Sequence, residues 1–419
     1  MAAWRRLRAF LANGLATARR DGAGAALRIG LAKLDRRLRR SADGAVRDAA
    51  ALAAWRDRHP QRPLIVLPPL VDWDMTLFQR PQHMARALAE AGFLYLFCVR
   101  GERDRVAGLR ELAPGLALTD RFDLASALPG PKLWHVYSTD LVHDLPSLRA
   151  RMGPDDAIVY EYIDRIDDAV ARREVPAFVH ARHAELLADP GAAVVVSADA
   201  LAEDVRTIRH DRVWLIENGV DVAHWRSPPG PVPGKLAATL ARGRPIVGYF
   251  GAIASWFDVE LVHAVARARP RLEFVVIGPD YDGARRRLEA AAPSNLQVVG
   301  AVPYADLPSW ASHFAAAMIP FRVDDVTTAT SPLKLFEFLA CGLPVVATDL
   351  RECRKSAAVS IASGAADFAA ALDAAIAIRG DPAFGRLARA EADAAAWGRR
   401  ALGWSEAARA LGREPQATA

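Results

Sequence analysis

At 419 residues the chain is too long for a single hydrophobic core, and 52% hydrophobic with 25% charged residues excludes a disordered or fibrous polypeptide. The formal charge of +5 conceals an asymmetry: residues 1–40 hold eleven Lys/Arg against Asp21 and Asp35, a net of +9, so the remainder is mildly acidic at −4. Such a body argues against nucleic-acid binding, which spreads positive charge over a folded face, and no apolar run approaches the length of a bilayer span.

In chain order, the basic stretch comes first. Trp4, Leu7, Phe10, Leu11 and Leu15 recur at roughly helical spacing, followed by Leu27, Leu31, Leu34 and Leu38, with arginines in the gaps. This pattern suits a helical arm (residues 1–60) lying on an anionic membrane surface. Packing against the protein's own body and a targeting role are the alternatives; Asn13, Gly14 and Arg19–Arg20 interrupt any signal-peptide core.

From Pro63 strands and helices alternate. Leu64–Leu67 is a first apolar strand, a loop over 68–79 follows, and a helix starts near Arg80-Pro81. Further apolar runs at Phe93–Val99, Leu133–Tyr137, Ala157–Ile163, Ala193–Ser197 and Val213–Ile216 imply a parallel sheet covered on both faces. Residues 226–234, rich in Pro and Gly, read as a linker. The alternation then restarts with strands at Pro245–Phe250, Leu272–Gly278, Leu296–Gly300, Ala315–Pro320, Pro344–Thr348 and Ala358–Ile361. A last helix over about 386–411 carries Trp397 and Trp404 on one seam. The expected organisation is α/β: two Rossmann-like doubly wound domains, 61–228 and 229–385, facing a cleft, with residues 386–419 returning to the first domain. Ligands in such sheets meet the loops at the strands' carboxyl ends. Cys98, Cys341 and Cys353 are odd in number and far apart, which implies neither a disulfide framework nor a zinc site and points to a reducing cytoplasm. Cys353, among Arg351, Arg354 and Lys355, reads as an ordinary surface thiol.

The densest signal is Thr330–Thr348. Ser331 is a good N-cap, Pro332 suits a first helical position, and Gly342 and Pro344 end the helix before the strand Val345-Val346-Ala347. Lys334 and Glu337 share one face. A capped helix start with a nearby Lys suits a phosphate, and a Glu one turn on can accept from a sugar's vicinal hydroxyls. A solvated surface pair is the plainer reading of that spacing.

The wording Ser-Pro-Leu-Lys-Leu-Phe-Glu-Phe-Leu-Ala-Cys-Gly-Leu-Pro-Val-Val-Ala-Thr resembles the donor-binding segment of GT-B glycosyltransferases, especially bacterial family 4 (group 1) relatives. The resemblance implies that Glu337 holds the donor ribose and Lys334 the diphosphate, with Ser331 and Leu335 beside them. It extends to the loop after Val247-Gly-Tyr-Phe-Gly, where Gly251 and Ala252 approach a phosphate, and to Ile216-Glu-Asn-Gly-Val-Asp221, where Asn218 faces donor or cleft unless the turn is only structural. Two departures stand out. Ala252, Ala254 and Ser255 replace the loop cations of those enzymes, and Ala329 stands eight before Glu337, where a second Glu contacts the transferred sugar.

On the first domain, Asp72-Trp-Asp74 imitates a metal-binding Asp-x-Asp but reads as acceptor-side loop, with no metal expected. Gln79-Arg-Pro-Gln-His83 resembles a recurring motif of the group, and Arg80 and His83 are assigned to the acceptor side, a structural His being the alternative. Asp74, His83 and Asp164 are the base candidates an inverting enzyme would need, with Asp164 also readable as a helix cap. The implied activity is metal-independent sugar transfer from a nucleoside diphosphate sugar to a lipid-linked or saccharide acceptor in bacterial cell-surface polysaccharide biosynthesis. It needs no cofactor and no nucleic acid, and it would take place in the cytoplasm, with the inner membrane face as a peripheral location. A nucleotide-sugar epimerase of the same fold and an inactive GT-B scaffold are the alternatives.

Overall fold

The computed structural model describes residues 42–171 and 173–415. The membrane-arm reading of residues 1–40 lies outside them. The first described element, α1 (Ala42–Asp57), is not an arm: Leu52 and Trp55 are fully buried in a cluster with Leu64, Val66, Leu94 and Leu96. Its Asp48 pairs with Arg121 at 2.5 Å. The expected boundary at residue 60 is thereby corrected, since residues 42–57 cover one face of the first sheet.

That sheet has eight strands, β1 (Leu64–Leu67), β2 (Leu94–Cys98), β3 (Leu109–Ala113), β4 (Leu116–Thr119), β5 (Lys132–Tyr137), β6 (Ala157–Tyr162), β7 (Ala193–Val196) and β8 (Val213–Leu215), in the order β3-β4-β2-β1-β5-β6-β7-β8. Alternate residues of β1 serve opposite faces: Leu64 and Val66 join the α1 cluster, Ile65 and Leu67 the cluster that holds Met84 and Leu88 of α2 (Arg80–Glu90). Two-sided burial is why these strands read as unbroken apolar runs. The β3–β4 hairpin was not expected. β3 pairs antiparallel at the edge and exposes most of its residues, so its sequence lacks the apolar signature; Pro114-Gly115 at the turn is the signal that could have revealed it.

The second sheet is β9 (Ile246–Phe250), β10 (Glu273–Ile277), β11 (Leu296–Gly300), β12 (Ala316–Ile319), β13 (Val345–Ala347) and β14 (Val359–Ile361), all parallel, in the order β11-β10-β9-β12-β13-β14. Between β12 and β13 lies α3 (Leu333–Ala340). The single C-terminal helix expected over 386–411 is two: α4 (Pro382–Ala394) and α5 (Trp397–Ala410). The break is made by Val220, whose N–H donates to the Ala395 carbonyl (3.0 Å) and whose carbonyl accepts from Trp397 N–H (3.1 Å). Beyond it, α5 buries Trp397, Ala401, Trp404 and Ala408 against the first domain.

Candidate active site

Helix α3 begins one residue later than its sequence suggests. Pro332 occupies the N-cap position and has no N–H to satisfy, while Ser331 does not cap. Its hydroxyl instead receives the Asn218 N–H (3.3 Å), and Asn218 Nδ2 donates to the Ser331 carbonyl (2.7 Å). Both residues are therefore occupied with each other, in a strap between the β8–linker crossing and the start of α3. Leu335 is also corrected as a ligand contact: its side chain is buried in the second core and its N–H bonds to the Pro332 carbonyl.

Lys334 and Glu337 do not form a solvated surface pair. The Lys334 Nζ lies over the rings of Phe321 (4.6 Å) and Tyr249 (5.5 Å), and among the described residues it makes no ion pair. Its stem crosses Gly251, where φ is +135° and an added Cβ would stand 2.7 Å from Lys334 Cε. Gly278 packs so closely beneath that its own Cβ would fall 1.7 Å from the Gly251 carbonyl oxygen. Only glycine permits this approach of the β9 and β10 loops, and it brings a cation over half-buried backbone at the sheet's carboxyl end. Burial lowers the Lys334 pKa to about 8 against the opposing pull of Glu337. The same burial raises Glu337 to about 8 against the pull of Lys334 and a hydrogen bond from Trp225. Ala252 is half-buried, and its carbonyl accepts from Tyr249 Oη (2.8 Å).

Beyond Glu337 an aromatic lane crosses between the domains, and sequence reasoning did not anticipate it. Trp225 Nε1 donates to Tyr304 Oη (3.0 Å), and the Tyr304 ring stacks on His224 (4.3 Å) and on Phe78 of the first domain (5.3 Å). Tyr304 also lines a cavity of about 840 Å3 enclosed by the loops after β1, β2 and β11. Neither Lys334 nor Glu337 lines this cavity.

The residues assigned to the acceptor side divide. Arg80 is corrected to a structural clamp: it is buried, its Nε contacts Glu161 (2.5 Å), and its Nη1 donates to the Glu217 carbonyl (3.0 Å) and Asn218 Oδ1 (3.3 Å). Glu161 also meets His135 Nε2 at 2.9 Å; burial pushes this carboxyl up, but Arg80 and His135 outweigh it and hold it down to about 2. A buried carboxylate needs this counter-charge, and Arg80 supplies it through Nε, while its buried Nη2 has no hydrogen-bond partner among the described residues. His83 is packed among aromatic rings, and its buried Nε2 has no hydrogen-bond partner among the described residues. It is buried, stacked on Trp397 (5.1 Å, 12°) and edge-on to Phe78 (4.8 Å). Burial, then Arg86 and His224, lower it to about 3, which leaves a feeble base. Asp72 is used by the fold, its two oxygens accepting the N–H groups of Gly101 and Arg103, whereas Asp74 is exposed on the cavity rim. Asp164, half-buried just past β6, is raised to about 7 by burial against the pull of Arg80. Cys353 is buried rather than a surface thiol, and burial raises it to about 12. Among the described residues no three His, Cys, Asp or Glu side chains gather as metal ligands.

Ala329 explains itself. It is fully buried within the first domain's cluster of Trp134, Tyr160, Tyr162 and Leu201, although it belongs to the second domain. A glutamate there would enter apolar packing.

Comparison with known proteins bears on the second domain most directly. A profile described as glycosyl transferases group 1 matches residues 233–377. That match falls on the second domain, which is similar to this family over its whole sheet. The chain is 28% identical over 257 residues to TuaH of Bacillus subtilis (strain 168), a candidate teichuronic acid biosynthesis glycosyltransferase; the match covers 59% of this chain and 60% of that protein's length. Among solved structures, sucrose-phosphate synthase from Thermosynechococcus elongatus aligns with a TM-score of 0.62 at 18% identity, covering 84% of this chain and 99% of that one. Anabaena HepE, determined with UDP and glucose, aligns with a TM-score of 0.58 at 15% identity, covering 82% and 98%. These likenesses establish the GT-B fold, two Rossmann-like domains across a cleft.

Proposed function

We propose that the protein is a glycosyltransferase that moves a sugar from a nucleoside diphosphate sugar to a lipid-linked or saccharide acceptor during cell-surface polysaccharide assembly. The observation that carries this is Lys334: a half-buried amine with no ion pair among the described residues, held over the Gly251 backbone one helical turn from buried Glu337. Lys334 receives the diphosphate, and its charge stabilises that group as the sugar departs. Glu337 accepts the ribose hydroxyls. UDP in the Anabaena relative and the description of TuaH support the donor and pathway classes. Asp164, on the loop just past β6, is the base candidate for an inverting course, since a carboxyl raised to about 7 is half ionised at neutral pH and still draws a proton. An epimerase or an inert scaffold finds no support among these relatives.

Calorimetry with UDP tests the reading. Glu337→Ala should raise the Kd at least tenfold, and an unchanged Kd would sink the assignment. Among the described residues no helix is long and apolar enough to cross a membrane. Any membrane contact is therefore proposed for residues 1–40, whose net charge is +9. The full chain should float with anionic liposomes and a chain starting at residue 42 should not; equal flotation removes the idea.

A further inference from the structure

The cavity of about 840 Å3 beside the donor residues has a charge that the fold itself does not use. Three guanidinium groups line it, all from the first domain: Arg86 on α2, and Arg103 and Arg105 on the loop after β2. Among the described residues none of them forms an ion pair. Arg86 lies over the rings of Phe78 (4.9 Å) and Trp73 (5.4 Å), and Arg103 donates to Thr76 Oγ1 (2.9 Å).

The carboxylates nearby do not balance them. Asp104 is buried and accepts the N–H groups of Trp73 and Asp74, with Arg110 at 3.4 Å, and Glu102 pairs with Arg100 at 3.1 Å. With Glu102 and Asp104 paired to Arg100 and Arg110 outside the lining, Asp74 remains, among the described residues one carboxylate without an ion pair against three such guanidinium groups. The facing wall, Ala301 to Ala305, carries no charge at all and contributes the Tyr304 ring.

The arrangement is also held in place. Asp72 takes the N–H groups of Gly101 and Arg103, and Asp104 ties the loop to Trp73, so Arg103 and Arg105 project from a loop fixed on both sides. Guanidinium groups held this way match carboxylate or phosphate oxygens in bidentate fashion, and an aromatic floor suits the apolar face of a pyranose ring.

We propose that this cavity seats the acceptor through an anionic group, a carboxylate or a phosphate on the incoming saccharide, held by Arg86, Arg103 and Arg105. The inference rests on the glycosyltransferase reading above and names the acceptor's chemistry. The donor's base, being uncharged, has no use for three cations, and the donor's phosphates are served by Lys334.

The full chain, saturated with UDP, is titrated with methyl glucuronide, glucose 6-phosphate and neutral methyl glucoside, followed by ligand-observed NMR. At least one anionic probe should bind ten times more tightly than the neutral one, and the stronger of the two identifies carboxylate or phosphate. In Arg103→Gln/Arg105→Gln and in Arg86→Gln that ratio should fall to within twofold, with melting temperature and UDP affinity unchanged. These side chains are exposed, so folding is not at stake. Equal binding of neutral and anionic probes to the unaltered protein overturns the proposal, as does an anion preference that survives the substitutions. A tenfold loss of UDP affinity in the arginine variants also overturns it, by making the cavity the nucleotide's. The donor reading fails separately, when Glu337→Ala leaves UDP binding intact while the arginines still govern anion preference.

Discussion

Lys334 and Glu337 titrate as a pair, because each feels the other inside the same desolvated pocket. Burial lowers one and raises the other to about 8, so below that pH the pair is an ammonium beside a neutral acid, with a net positive charge. A bound diphosphate favours that state and raises the Lys334 pKa. On the proposed function, affinity for UDP should therefore be fully present below about 8 and fall as the pH climbs above it, by up to about tenfold per unit. Titration calorimetry between pH 7 and 9 should show this slope in the wild type and its loss in Lys334→Met. The spacing of Lys334 and Glu337 was visible in the chain; their burial was not. Arg80 shows the reverse case. Its motif suggested a ligand contact, yet Glu161, eighty-one residues away in sequence, claims it.

At the scale of elements, α5 completes the first domain although it comes last in the chain. Trp404 is fully buried, edge-on to Phe93 (5.6 Å) and 5.1 Å from His135, while Trp397 backs His83. Truncating such a side chain removes its transfer energy and leaves a cavity. Trp404→Ala should cost about 3–5 kcal/mol, read from denaturant titration, and a loss below about 1 kcal/mol would mean that α5 is only loosely attached. The seven-residue spacing of the two tryptophans announced an apolar seam. The break between α4 and α5 had no such announcement, since alanines at 395 and 396 are good helix formers. It is imposed from outside by the backbone of Val220. Edge strand β3 was missed for a related reason: exposure relieves it of the apolar pattern that marks the inner strands.

For the whole molecule, the contact that matters most is Ala329, a second-domain residue buried in a first-domain cluster. Together with the Asn218–Ser331 strap and the Phe78–Tyr304 stack, it joins the domains on several sides of the cleft. Ala329→Glu restores the paired-glutamate spacing of related enzymes but places a carboxylate in apolar packing, which is costly unless the domains part. Small-angle scattering should show an increased radius of gyration or thermal melting a lowered Tm, with no gain in transfer. A variant of unchanged size and stability would mean that this contact is not maintained in solution.

The sequence by itself determined the two-domain alternation, the linker and the helix that carries Lys334 and Glu337, because strand and helix periods, turn residues and a local motif are all encoded within a few turns of chain. Only the tertiary structure decided which charges remain for a ligand. Buried Glu161 pairs with Arg80, Asn218 holds Ser331, and burial makes His83 a weak base, whereas among the described residues Lys334 and the three cavity arginines form no ion pair. Pairing of buried charges is settled by what folding brings within a few ångströms, and the linear order of residues does not contain that information.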